Sequence, residues 1–241
     1  MSVLIPAALA VIAFLYALVG HGGASGYIAL LTLLGYGQAE VRPSALVLNL
    51  FVSAVATFQF ARAGHFRWRL FLPFALASVP MAWLGAQVVV DPLLYKRVLA
   101  VCLIIAGVRL LWTFRTTAQE VRVLPVVPAL GIGLLLGFVS GMIGIGGGIL
   151  LSPVLLLFRW ADAKQTAAVS AAFILVNSAA GLLGTQRIGE TISGDVWWWI
   201  AGVVIGGMIG SWVGAHRVNN SWLRRILGVV LLSASLKLLL P

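Results

Sequence analysis

Charged positions divide the chain into long apolar runs, and the lengths of those runs occur twice. Stretches free of Asp, Glu, Lys and Arg cover 1–39, 43–61, 70–90 and 98–108, then 123–158, 165–186, 196–216 and 226–236. Their lengths are 39, 19, 21 and 11 residues, followed by 36, 22, 21 and 11. A helix needs roughly 20 apolar residues to cross hydrocarbon, so runs of 19 to 22 residues predict single membrane-spanning helices. The 11-residue runs are too short alone, but Arg109 and Lys237 can extend aliphatic stems toward the headgroups from within longer helices, over about 93–114 and 221–240. The pattern predicts an all-α integral membrane protein.

Residue types repeat along with the lengths. Gly22-Gly23-Ala24 lies 124 positions before Gly146-Gly147-Gly148, and Trp83-Leu84-Gly85-Ala86 lies 129 before Trp212-Val213-Gly214-Ala215. Arg97 and Arg109 match Arg225 and Lys237 at an offset of 128. Two homologous halves follow, 1–118 and 122–241, with the short polar stretch Thr116 to Arg122 as linker. Each half then holds one long opening run and three simple spans. The cluster Trp197-Trp198-Trp199 suits an interfacial aromatic belt at the start of a span.

Each opening run exceeds one span and is interrupted by glycines, Gly20-His21-Gly22-Gly23-Ala24-Ser25-Gly26 in the first half and Gly141 through Gly148 in the second. Such stretches do not hold regular helix well. One reading unwinds a single crossing; the other turns the chain back into a hairpin with no net crossing. A single crossing divides the 16 Lys and Arg eight to eight across the bilayer. A hairpin inverts the second half and places Arg62, Arg67, Arg69, Arg109, Arg115, Arg122, Arg159, Lys164, Arg217, Arg224 and Arg225 on one side, leaving Arg42, Lys96, Arg97, Arg187 and Lys237 on the other. That division of eleven to five follows the excess of cations in cytoplasmic loops. The expected fold is therefore an inverted repeat, each half a Gly-broken helical hairpin followed by three transmembrane helices, with the linker in the cytoplasm and both termini outside.

Composition narrows the functional class. Hydrophobic types make up 61% of the 241 residues and charged types 9%, too few charges to cover a water-soluble domain. A cytosolic enzyme, a nucleic-acid binder and a disordered chain are excluded on that ground, and the net charge of +10 belongs to loops on one face of a bilayer. Met1 to Ala39 carries no charge and so lacks the basic start of a secretory signal; the first apolar segment is expected to be retained. Cys102, the sole cysteine, cannot form an internal disulfide or a thiolate cluster. A zinc site needs three or four ligands, and of His21, His65 and His216 the last two fall at span ends. His21 and Ser25 share one glycine-rich stretch without a G-x-S-x-G elbow, which argues against a serine hydrolase. No enzyme activity, metal or cofactor is expected.

Paired glycine-broken segments in oppositely oriented halves point to a transporter site near mid-membrane. Freed backbone N–H groups and the positive end of the following helix attract an anion without a charged side chain, and the helices from Tyr27 and Ile149 would aim at one shared site. Candidate substrate contacts are Gly22, Gly23 and Gly26 in the first break and Gly144, Gly146, Gly147 and Gly148 in the second. His21 and Ser25 offer donors within the first break, and Asn49, Asn177 and Ser178 offer amide and hydroxyl donors from the next helix of each half. The competing reading makes these glycines close helix-packing positions and these polar residues interhelical hydrogen bonds.

The segment Gly141-Met142-Ile143-Gly144-Ile145-Gly146-Gly147-Gly148-Ile149-Leu150-Leu151-Ser152-Pro153, with its degenerate copy in the first half, resembles the signature of the TauE/SafE sulfite exporters, also described as the TSUP or 4-toluene sulfonate uptake permease family. The resemblance covers almost the whole chain, although the first copy departs from it with Gly-His-Gly-Gly-Ala-Ser-Gly and no following proline. It implies export of sulfite, sulfoacetate or related organosulfonates across a bacterial inner membrane. No Asp or Glu falls within a span, so a carboxylate proton relay is not expected. An anion channel and a membrane scaffold are the alternatives. Trp-rich faces are compatible with a homodimer and equally with lipid contact. A reporter active only in the cytoplasm, fused after Pro241, is expected to stay silent; activity there would refute the inverted arrangement.

Overall fold

The computed structural model describes residues 4–88, 121–185 and 195–239, together with Ala100, Ile104, Val108 and Leu111. Among these residues every regular element is a helix. The helices are α1 (Leu4–Ala17), α2 (Ala24–Leu33), α3 (Gln38–Arg62), α4 (Trp68–Ala86), α5 (Val126–Ile143), α6 (Gly148–Leu157), α7 (Ala163–Gly184), α8 (Val196–His216) and α9 (Asn220–Leu239). Five of them, α3, α4, α5, α7 and α8, are long and apolar enough to cross a membrane, while α1, α2 and α6 are shorter apolar helices. Apart from those four residues, the span expected over 93–114 lies outside the described residues, as does the linker from Thr116 to Arg122 up to residue 120.

Local chemistry sets the helix ends. Asp162 Oδ1 accepts from the Gln165 N–H at 2.9 Å, and Gln165 Oε1 accepts from the Asp162 N–H at 3.5 Å, which fixes the start of α7. The two short helices begin earlier than the glycine pattern predicts, at Ala24 instead of Tyr27 and at Gly148 instead of Ile149. Gly26 is tolerated inside α2 because its bare face lies on Ile12 of α1.

Glycine rows position the long helices. Gly202, Gly206, Gly210 and Gly214 of α8 rest on the backbone at Pro6, Ala10, Phe14 and Leu18, so α1 and α8 run parallel at backbone contact. Gly133, Gly137 and Gly141 of α5 rest on Phe74, Ser78 and Ala82 of α4, another parallel pair. Between these pairs α3 and α7 cross antiparallel, with Leu46 beside Gly181 and Asn49 beside Ser178. Asn177 beside Ser78, and Gly184 beside Trp83, make α7 parallel to α4. Helices α1, α3 and α8 therefore run one way, and α4, α5 and α7 the other.

The glycine-broken segments turn back. The Arg122 N–H donates to the Arg159 carbonyl at 2.8 Å, so the chain enters α5 and leaves α6 at the same end. Pro6 lies against Gly202, and Tyr36 packs edge-on against Trp199 at 5.3 Å, so α1 begins and α2 finishes near the start of α8.

One end of the bundle is basic. His65 Nε2 and Lys164 Nζ both bond the Ala215 carbonyl, at 3.2 and 3.0 Å, and the Lys164 N–H donates to Asn220 Oδ1. A cleft of about 280 Å³ brings Arg67, Arg69, Leu124, Trp160 and Gln165 together. Arg62, Arg67, Arg69, Arg122, Arg159, Lys164, Arg217 and Arg225 thus share this end, as the charge division expects. Arg109, Arg115, Lys96, Arg97, Arg187 and the side chains of Arg224 and Lys237 lie outside the described residues.

The α1–α8 contact allows a direct check. Gly206→Leu would push a side chain into the Ala10 carbonyl and is expected to cost at least about 1–3 kcal/mol. Gly131→Leu, which meets open space, should leave stability unchanged. Equal melting temperatures for the two purified variants would contradict this packing.

Candidate functional site

The first break, Leu18 to Gly23, follows α1, and the second, Gly144 to Gly147, follows α5. Each ends on a left-handed glycine that caps the next helix, Gly23 at φ 96° and Gly147 at φ 74°. A side chain at either position would be strained, so the glycines allow the chain to reverse and start a new helix within a few residues.

The two reversals meet at Asn49, about halfway along α3. Its Oδ1 accepts from the Ala24 N–H at 3.1 Å, at the first residue of α2. Its Nδ2 donates to the Ile145 carbonyl in the second break at 3.3 Å and to Ser178 Oγ of α7 at 3.5 Å. One fully buried amide therefore bonds both breaks and the antiparallel helix. A Cβ on Gly22 would overlap Asn49 Oδ1, and one on Gly146 would lie 2.7 Å from Ser178 Oγ and 2.8 Å from Ile174 Cγ2. Close approach of backbone to these side chains is what both glycines permit.

A second polar chain lies nearby. His21 Nε2 and Ser152 Oγ are 2.8 Å apart, and Ser152 Oγ and Ser170 Oγ are also 2.8 Å apart, linking the first break to α6 and α7. His21 is buried, and its Nδ1 lies near the start of α6 without a well-aligned hydrogen bond. Ser140 Oγ, beside Gly147, is buried and unpaired. At the start of α6 the amides of Gly148 and Ile149 precede the first intrahelical bond, which Leu150 makes to the Gly147 carbonyl at 3.0 Å. Such amides carry the partial positive charge of a helix N-terminus. The cluster thus combines neutral donors, a helix start and a buried imidazole.

Of the residues expected from sequence, His21, Gly22, Gly23, Asn49, Gly146, Gly147, Gly148 and Ser178 gather around this crossing. Gly144 lies slightly apart, against the side chain of Arg42. Ser25 turns to the Tyr16 hydroxyl at 3.0 Å, and Gly26 faces Ile12, so both look toward α1. Asn177 faces α4, donating to Ser78 Oγ at 3.0 Å and to the Phe173 carbonyl at 2.8 Å. Sequence reasoning did not single out Tyr27, whose hydroxyl donates to the Gly22 carbonyl at 2.6 Å, nor Ser170 and Ile174. Ser152 stands inside the glycine-rich signature, and its place there was the available signal.

The sequence profile described as Sulfite exporter TauE/SafE matches residues 4–238. The chain belongs to the TauE/SafE family. It is 40% identical over 233 residues to the probable membrane transporter protein y4hK of Sinorhizobium fredii, covering 95% of this chain and 94% of that one. It is 25% identical over 182 residues to the probable membrane transporter protein MJ0441 of Methanocaldococcus jannaschii, covering 72% of this chain and 68% of that one. No solved structure matches the chain. In this TauE/SafE protein the glycine signature spans the end of α5, the second break and the start of α6, and its Ser152 continues into the chain of hydroxyls that reaches His21.

Replacing Asn49 tests the crossing. Asn49→Leu leaves the Ala24 N–H and the Ile145 carbonyl without a partner, at about 1–3 kcal/mol for each buried group. A markedly lower thermal unfolding midpoint in detergent is expected, and an unchanged midpoint would show that the amide does not hold the breaks.

Proposed function

We propose that this TauE/SafE protein exports sulfur-containing oxyanions, such as sulfite, sulfoacetate or related organosulfonates, across the bacterial inner membrane by alternating access. The observation that carries this reading is the convergence of both glycine breaks on Asn49, midway along α3. In hydrocarbon, irregular backbone is tolerated only where protein or a cavity satisfies it, and in transporters such breaks form the substrate site. The inverted repeat belongs to the same proposal. Its support is that α1 and α5, the corresponding first helices of the two halves, run in opposite directions, as do α3 and α7 and likewise α4 and α8.

The anion takes the place of contacts now closed within the protein. When the breaks separate, the Ala24 N–H, the Asn49 amide and the Ser178 hydroxyl lose their partners and turn to the oxygens of the substrate. The His21 imidazole and the first amides of α6 lie beside them and add polar groups of the same neutral kind. At the crossing itself the donors are neutral amide, hydroxyl and backbone N–H groups. An inside-negative potential drives an anion outward by about 2.3 kcal/mol per charge per 100 mV. Export therefore needs no carboxylate relay.

The test is flux in proteoliposomes. Saturable sulfite or sulfoacetate efflux with counter-flow is expected from the unsubstituted protein, and counter-flow separates a carrier from a channel. Gly147→Leu would bring a side chain against Phe173 and Ser140 and should abolish flux while the protein still inserts. Undiminished flux in that variant would remove the glycine breaks from the site.

A further inference from the structure

Among the described residues, Arg42 of α3 has no acid paired with it. Arg42 is the third residue of the candidate span of α3, which runs from Glu40 to Arg62. Its Nη2 donates to the Gly141 carbonyl near the end of α5 at 2.6 Å. Its stem covers the second break so closely that a Cβ on Gly144 would sit 2.8 Å from Arg42 Cγ and 3.0 Å from Nε. Nε is buried and has no hydrogen-bond partner, and among the described residues no carboxylate pairs with the guanidinium. One backbone carbonyl at a helix C-terminus offsets only part of a full positive charge. A partly buried cation in a membrane segment without a counter-charge calls for a functional partner.

Arg42 also shares a face of α3 with Asn49. The two are seven residues apart, two helical turns or about 10 Å, and they touch the second break from either side, Arg42 at Gly141 and Gly144 and Asn49 at Ile145. The corresponding contact on the first break has no cation, since Gly20 rests on the backbone of Ala167 in α7. The arrangement is charged on one side only, the side away from the basic end.

We infer that Arg42 is a specificity-determining residue for the transported oxyanion. It receives the anion between the Asn49 crossing and the mouth of the second break, pairing its open Nε edge with two substrate oxygens while Nη2 stays on the Gly141 carbonyl. A guanidinium edge fits a sulfonate or sulfite oxygen pair in a way that an ammonium does not. This role rests on the transport reading above and names the side chain that selects charge within it.

The experiment measures initial rates of sulfite efflux from proteoliposomes against concentration, with melting temperatures taken without anion. Arg42→Met, which keeps the apolar stem, is expected to raise KM by about tenfold or more, equivalent to about 1.4 kcal/mol, and Arg42→Lys to raise it less. A role confined to capping α5 would lower the melting temperature of Arg42→Met and leave KM within twofold of the parent, overturning the inference. Should Arg42→Met fail to accumulate, Arg42→Lys decides alone, because a parental KM in that variant is equally fatal. Absence of saturable flux in the unsubstituted protein would remove the transport reading and this role with it. Parental KM in both Arg42 variants, with flux lost in Gly147→Leu, would remove this role and leave that reading standing.

Discussion

The structure depends on how main-chain polar groups are satisfied where two helices stop in an apolar interior. Water cannot reach those groups, and each left unpaired costs about 1–3 kcal/mol. Asn49 meets the demand with one side chain, its oxygen taking the first N–H of α2 and its nitrogen reaching a carbonyl of the opposite break. Glycine on both approaching backbones follows from this, because Gly22 and Gly146 lie where any Cβ would collide with the amide or its neighbours. The composition of the breaks is a consequence of the amide between them as much as of the turns they make.

Around this crossing the glycine rows of α5 and α8 do a different job. In lipid no hydrophobic effect draws helices together, so close backbone contact and dispersion must. Gly133, Gly137 and Gly141 on α5, and Gly202 to Gly214 on α8, bring whole helices to backbone contact with their partners. Glycine thus serves two structural purposes in separate positions: every fourth residue along a long helix for packing, consecutive residues at a break for reversing the chain. Gly141 belongs to both, touching Ala82 and offering its carbonyl to Arg42.

Much of the fold was legible in the sequence, for physical reasons. Apolar run length maps onto span length, and the 196–216 run is α8 residue for residue. The glycine clusters marked both breaks, and cation positions foretold which helix ends share a face. The helix starts at Ala24 and Gly148 were missed because glycine propensity describes an average residue, whereas Gly26 and Gly148 are held in helices by the neighbours they touch. Within the site, Asn49 and Ser178 could be picked out as polar residues in apolar helices, but Asn177 could not be separated from Ser178 without knowing which way each faces. Tyr27 and Ile174 carried no sequence signal at all, being ordinary apolar-compatible residues whose role comes from the backbone that approaches them.

The tightest helix pairs each draw one member from either half of the sequence, α1 with α8 and α4 with α5. Neither half of the sequence can be lifted out as a lobe, since its opening helix is seated on a long helix of the other half. The packed unit is a composite of both halves. Severing the chain between the two halves would leave two fragments still clasped to each other through these helix pairs.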